Sequence, residues 1–430
     1  MERFSLEKYV AGKWHLAGTL EVEAPEKGIA SPCSLEYDPQ FALDFLDETG
    51  EATFGTHFPI NFGHERYPVW PAFMLDILPS GFGRDLIVNR QTLTRPDGAY
   101  NDCAVLRHGA GNPVGNLRVA EARLWLSQQL RQQQNASGWP LAEMKRHDAD
   151  FIEYASLHGT LIAGTSTQGQ AAKMLLTLGA DQLYYGDSVV PDAEARAHYL
   201  LKIPRNDQDA ILLRHEWLWL RLARQAGLNL HGEPFMTGEL LFIPRFDRIV
   251  TNGTVLRKNM ESAYSLLEVS TPGAPLCHED ILAAFLATAN PDTVGRDFVE
   301  YFKRDILGFC LRVEDNHGRN TAFFVTTQGL ELTPLFDFAP MFLCNDPPVR
   351  STTWRAFDIG CHDQWPRLFH GWLPDLLGAA NTKKVRTVLY EWTRVLRTIR
   401  QTFATLGRDR RTDICLPRFD AALNALETLQ

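Results

Sequence analysis

At 430 residues, 45% of them apolar and 22% charged, the chain has the balance of a folded globular protein and more length than one typical core needs, so two or three packed units are expected. A formal charge of -9 without any Lys/Arg block argues against direct nucleic-acid binding by this chain alone. Seven cysteines, an odd number with no C-x-x-C pair, argue against a disulfide framework or a paired zinc site and for a reducing compartment.

The first residues, MERFSLEKYVAGKWHL, carry charges where a secretory signal would be apolar, and no apolar run reaches membrane-spanning length. A cytoplasmic protein without a membrane partner is predicted. Residues 1 to 65 read as short strands broken by Pro25, Gly28, Pro32, Gly50 and Gly55, hence a small sheet subdomain. In PAFMLDILPSGFGRDLIVNR a helical turn stops at Pro79-Ser80-Gly81 and a second helix follows, with Arg84 and Arg90 in solvated or structural roles. Residues 120 to 133 predict a helix that ends in the linker-like QQQNASGWP, which puts a first boundary near residues 134 to 150.

LHGTLIAGTSTQGQAAKMLLTL holds a small hydroxyl-rich loop, in which Gly164 and Gly169 would let backbone N–H groups approach phosphate oxygens. It is not a Walker A motif, because Lys173 stands four residues past Gly169 without a following Ser/Thr pattern, and by itself it reads as a hairpin turn more readily than as a phosphate cradle. The next strand, AHYLLKIP, carries Lys202 in a β-prone apolar run, either snorkelling from an edge or held inward for an anion. Residues 211 to 227, ILLRHEWLWLRLARQAG, predict an amphipathic helix closed by Gly227, with Glu216 on it. ELLFIPRFDR then gives a strand running into a Pro-Arg-Phe turn, and beyond Lys258 the chain becomes mainly helical: residues 278–289, 297–313, 382–406 and 417–429. The arginines at 386, 394, 397, 400 and 408–411 read as a solvated face.

The segment LRVEDNHGRNTAFFVTTQGLELTPLFDFAPMF organises the rest. Asp315 precedes Asn320 by five residues, a hairpin turning at Gln328-Gly329 is predicted after it, and Asp337 follows. The protein-kinase catalytic loop uses the same spacing, the aspartate as base for the substrate hydroxyl and the asparagine as a magnesium ligand, and Asp337-Phe338-Ala339 stands where kinases place D-F-G. In that reading Lys202 takes the place of the kinase strand lysine and Glu216 that of its helix glutamate. The segment around Pro244 corresponds to the hinge, whose backbone meets adenine. Each residue alone is explained as well by a turn, an edge strand or a solvated helix.

Taken together, GTSTQGQAAK, AHYLLKIP, FIPRFDR, VEDNHGRN and LTPLFDF, in this order, resemble the HipA family of serine/threonine kinases, the toxin component of bacterial toxin-antitoxin pairs. LEYDPQFAL and MLDILPSGFGRDLI resemble the family's N-terminal region. The resemblance implies an α+β, kinase-like two-lobed fold. Residues 1–145 would form a β-rich subdomain with helices, 146–258 a nucleotide-binding lobe, and 259–430 a mainly helical catalytic lobe. It further implies Asp315 as catalytic base, Asn320 and Asp337 as ligands of Mg2+, and Lys202 on the ATP phosphates. Pro244 and Phe246 would meet adenine through their backbones, Gly164, Thr167, Gly169 and His317 would belong to the nucleotide site, and Ser166 would be the self-phosphorylated residue, with Thr165 and Thr167 as alternative acceptors. Arg319 departs from the family's usual lysine, and Thr167-Gln168-Gly169-Gln170 from the commoner Ala-Gly-x-Gln. The partners implied are a protein substrate such as an aminoacyl-tRNA synthetase and a small helix-turn-helix antitoxin, through which alone nucleic acid is reached. The competing reading is a catalytically weak kinase-like module whose work is binding that antitoxin. Intact Lys202, Asp315, Asn320 and Asp337 favour the enzyme.

Overall fold

A computed structural model of the chain describes residues 1–90, 101–132, 138–146, 151, 155, 172–406 and 409–430. The first sheet is built from β1 (Glu2–Val10), β2 (Lys13–Val22), β3 (Cys33–Tyr37), β4 (His64–Tyr67) and β5 (Leu117–Val119), in the order β4-β3-β2-β1-β5. Alternation along the strands turns Phe4, Leu6, Leu20, Val22 and Leu35 inward, where they pack with Trp70, with Phe73 and Met74 from the short helix Ala72–Ile77 and with Val105 and Leu106 from the helix Asp102–Gly109. Arg84 is structural, its guanidinium 2.6 Å from Asp102.

The second sheet comprises β6 (Ala172–Gly179), β7 (Tyr184–Gly186), β8 (Ala195–Ile203), β9 (Phe235–Thr237) and β10 (Leu240–Pro244), ordered β7-β6-β8-β10-β9. Its core joins Met174, Leu201 and Phe242 to Trp139, Met144 and Phe151. The edge-strand alternative for Lys202 is therefore wrong: β8 is the central strand, and Lys202 is buried there. The helix Asp207–Gln225 follows β8.

A two-stranded ribbon, β11 (Arg248–Thr251) with β12 (Thr254–Arg257), leads to a three-stranded sheet of β13 (Met260–Ser262), β15 (Ala322–Thr326) and β16 (Gly329–Leu332), ordered β13-β15-β16. The expected hairpin is thus present. Gly329, at φ +119°, is required at its turn because a Cβ there would stand 2.5 Å from the Thr288 carbonyl oxygen. A short parallel pair, β14 (Leu276–Cys277) with β17 (Thr352–Thr353), anchors the segment after Asp337. The helices His278–Thr288, Val294–Cys310, Trp372–Thr405 and Leu416–Glu427 contribute to the largest core. The third of these begins at Trp372 rather than at residue 382, with a kink at Gly378, φ +75°. The C-terminal arginines form surface pairs, Arg400 with Asp420 and Arg397 with Glu427, as a solvated face should. Among the described residues no helix is long and apolar enough to cross a membrane.

Candidate active site

Three elements meet at one buried ammonium group. The helix Asp207–Gln225 starts at Asn206, whose side chain accepts from the Asp209 N–H at 2.9 Å and caps its first turn. Leu212, Leu213, Glu216, Trp219, Leu220 and Ala223 fall on its buried face at helical spacing. Glu216 therefore lies among apolar neighbours rather than in solvent, and β8 presents Lys202 to it. The Lys202 Nζ donates to Glu216 Oε1 at 2.5 Å and to Asp337 Oδ1 at 2.5 Å. Burial works against the charge on Lys202, but the facing Asp337 and Glu216 carboxylates overcome it and hold the ammonium above the usual lysine range.

Asp337 follows the β15–β16 hairpin and adopts φ +49°, a left-handed conformation that aspartate tolerates better than most residues. Burial opposes its charge. Lys173 and Lys202 reverse that and hold the carboxyl below the ordinary range. Lys173 is the residue that sequence reasoning missed. In β6 it is the register partner of Lys202, and its Nζ lies 3.9 Å from Asp337 Oδ1. Burial lowers its pKa to about 8 against the pull of Asp337. The available signal was the run KMLLTL after the glycine loop, which places a lysine at the start of a strand.

The second half of the site is the loop between the helix Val294–Cys310 and β15. Asn320 Nδ2 donates to the Asp315 backbone carbonyl at 2.6 Å, which turns the amide oxygen outward. His317 Nδ1 accepts from the Arg319 N–H at 3.2 Å, so the proton sits on Nε2, 3.5 Å from Asp315 Oδ1. Burial lowers the His317 pKa to about 4 and keeps the ring neutral at physiological pH. Burial also pushes the Asp315 carboxyl up, with the Asp337 charge adding to it, to about 7. Gly318 permits the loop's close packing, since a Cβ would meet Leu276 Cδ1 at 2.5 Å and the Tyr264 ring at 3.0 Å. Asn316 ties the loop to the later segment, accepting from Ser351 N–H and donating to the Thr352 carbonyl.

Asp315, Asn320 and Asp337 line one pocket of about 610 Å³. Lys202 and Lys173 both face Asp337 Oδ1, and among the described residues neither Asp337 Oδ2 nor Asn320 Oδ1 has a protein hydrogen-bond partner. A carboxylate and an amide oxygen left open in this way fit a hard divalent cation such as Mg2+.

Pro244 and Phe246 line a neighbouring, largely apolar pocket of about 1020 Å³ together with Leu175, Leu200, Ile243 and Phe336. Phe246 packs on Phe336, ring centroids 5.5 Å apart. Arg319 also reaches this pocket. Burial lowers its pKa, and the Asp76 carboxyl opposes that shift. Gly164, Ser166, Thr167 and Gly169 lie outside the described residues.

Residues 165–406, more than half of the chain, match the family described as the HipA-like C-terminal domain. No curated protein matches the chain by sequence. Among solved structures the chain is similar to HipA of Shewanella oneidensis MR-1, determined as a toxin-antitoxin complex with HipB and operator DNA. The TM-score is 0.61 at 16% identity, over 99% of this chain and 97% of that one. It also has a weaker likeness to the Helicobacter pylori proinflammatory kinase CtkA, with a TM-score of 0.33 at 12% identity, over 54% of this chain and 88% of that one.

Proposed function

Because the chain belongs to the family of HipA-like C-terminal domains, we propose that it is an ATP- and Mg2+-dependent serine/threonine protein kinase of the HipA toxin type. The observation that carries this reading is the Lys202 ammonium, bonded at 2.5 Å to both Glu216 and Asp337 beside the pocket that holds Asp315 and Asn320. A phosphoryl-transfer site needs such a cation, fixed by one carboxylate and adjoining a second that is open to metal.

In this reading Lys202 holds the ATP phosphates with Glu216 orienting it, and Lys173 adds a second cation. Asp337 and Asn320 would hold Mg2+, which supplies charge neutralisation on the β- and γ-phosphates when bound. Asp315, kept at its distance by His317 and the Asn320 amide, takes the proton of the substrate hydroxyl as that oxygen bonds to the γ-phosphorus. The bond to the bridging oxygen breaks, and ADP leaves. Pro244 and Phe246 present backbone to adenine. The second sheet with the Asp207–Gln225 helix acts as the nucleotide lobe, the helices after residue 258 as the catalytic lobe, and residues 1–145 as an N-terminal subdomain.

The fold likeness to a toxin solved with its antitoxin supports a small helix-turn-helix antitoxin as partner, with DNA reached through it. An aminoacyl-tRNA synthetase is the substrate class the family suggests, its phosphorylation inhibiting growth in the cytoplasm, and Ser166 is the proposed self-phosphorylated residue.

Purified protein incubated with labelled ATP and Mg2+ tests the reading. Wild type is expected to incorporate phosphate, mapped by mass spectrometry to Ser166. Asp315→Ala and Asp337→Ala should each lower the rate about a hundredfold or more. Only Asp337→Ala should also weaken Mg2+-dependent ATP binding, because the base acts chiefly in the transition state. Wild-type rates from Asp315→Ala protein would overturn the assignment.

A further inference from the structure

Behind the Pro244–Phe246 segment lies a buried charge network that the proposed mechanism does not use. Arg245, 5% exposed, donates from Nε to Asp247 Oδ1 at 2.9 Å, from Nη2 to Asp247 Oδ2 at 2.6 Å, and from Nη1 to Asp187 Oδ2 at 2.5 Å. Asp187, in the turn after β7, also accepts from Thr177 Oγ1 at 2.6 Å and faces His198 Nδ1 at 3.2 Å. The network then leaves the second sheet. Asn112 Nδ2 donates to Asp187 Oδ2 at 2.9 Å, the Gly115 N–H donates to Asp247 Oδ2 at 3.0 Å, and Arg248 donates to the carbonyls of Gly115 at 2.6 Å and Pro113 at 2.9 Å. The loop before β5, part of the N-terminal unit, is thus hydrogen-bonded to the side chains of Asp187, Asp247 and Arg248, and Asp187 and Asp247 in turn hold Arg245 in the segment that would receive the nucleotide base. Val114 to Asn116 of that loop, with Leu117 of β5, also wall the same pocket as Pro244 and Phe246.

Buried charges are costly to desolvate and are held only by complete, well-directed pairing. A solvent-facing turn at this point would need none of them. Resting on the kinase reading above, we propose that the Asn112–Gly115 loop, acting through Asp187, Arg245 and Asp247, positions the Pro244–Phe246 backbone for the purine base, so that the N-terminal unit is part of the ATP site. Arg245 and Asp247 are positioning residues in this account, since their side chains point into the network and only the backbone beside them meets the base.

The readout that separates positioning from general stability is base dependence. Binding of Mg-ATP and of Mg-tripolyphosphate, which has the phosphates and no base, is measured by calorimetry on the full chain. Arg245→Lys keeps the charge but loses the planar fork, and is expected to weaken Mg-ATP about tenfold while leaving tripolyphosphate within about twofold. Asn112→Ala removes a single hydrogen bond at the periphery of the network and is expected to weaken Mg-ATP about threefold, again without effect on tripolyphosphate. It stands in for Arg245→Lys if that variant fails to fold. Unchanged Mg-ATP affinity in a folded variant, or parallel loss of both ligands, overturns the proposal. Failure of the wild-type protein to bind Mg-ATP at all would instead overturn the kinase reading on which it rests.

Discussion

Asp315 shows how burial sets the chemistry of a single residue. A carboxyl on a surface loop would be ionised far below neutrality and too weak a base to help a hydroxyl nucleophile. Burial and the Asp337 charge raise it to about 7, against Lys173 and Lys202, which act to lower it. In the proposed mechanism the deprotonated form is the active one, so kcat/KM for phosphate incorporation should rise with pH and level off above about pH 7, falling about tenfold per unit below it. A pH profile of wild type checks this, and a flat profile between pH 5.5 and 8 would argue against Asp315 as base. The same shift has a stability consequence with a fixed sign. Because the folded-state pKa lies above the unfolded one, the cost of the buried charge appears as pH rises toward the folded pKa and disappears in acid.

At the scale of elements, the helix Asp207–Gln225 decides whether the lysine has a partner. Its apolar face buries Trp219, and the Trp219 Nε1 donates to the Leu311 carbonyl at 2.9 Å, just ahead of the loop that bears Asp315. At the other end the Leu228 N–H returns to the Ala223 carbonyl at 3.0 Å, while Gly227, at φ +78°, makes the reversal. Asn206→Ala removes the cap acceptor from the Asp209 N–H and is expected to cost about 1 kcal/mol of stability in urea denaturation. Glu216 sits more than two turns along the helix, so Mg-ATP affinity should change little. A large loss of affinity would mean that the cap controls the site more directly than the helix geometry implies.

For the whole molecule, the joints between units are polar and buried. Lys8, fully buried in β1, donates to Asn116 Oδ1 at 2.7 Å and to Asn259 Oδ1 at 2.9 Å, joining the first sheet to the segment ahead of β13. The two amides are themselves committed, Asn259 Nδ2 to the carbonyls of Gly50 and Thr53, and Asn116 Nδ2 to those of Tyr9 and Glu51. Lys8→Ala would leave two buried acceptors without donors as well as a cavity, and is expected to cost about 3 kcal/mol or more. Chemical denaturation measures it, and a cost below about 1 kcal/mol would mean that water replaces the Lys8 amino group.

Local features were legible in the sequence because their causes are local. Alternation marked the strands, helical spacing and Gly227 marked the Glu216 helix, Gln328-Gly329 marked the hairpin, and the order of Lys202, Asp315, Asn320 and Asp337 carried the family resemblance. Side chains that meet across elements were not legible. Lys173 enters the site through a strand register, and Lys202 is central because β10 pairs on its far side. The Arg245 network depends on a loop contributed by another unit. Periodicity records which face of an element is apolar, whereas the pairing of buried charges depends on which faces are brought together, and only the tertiary structure decides that.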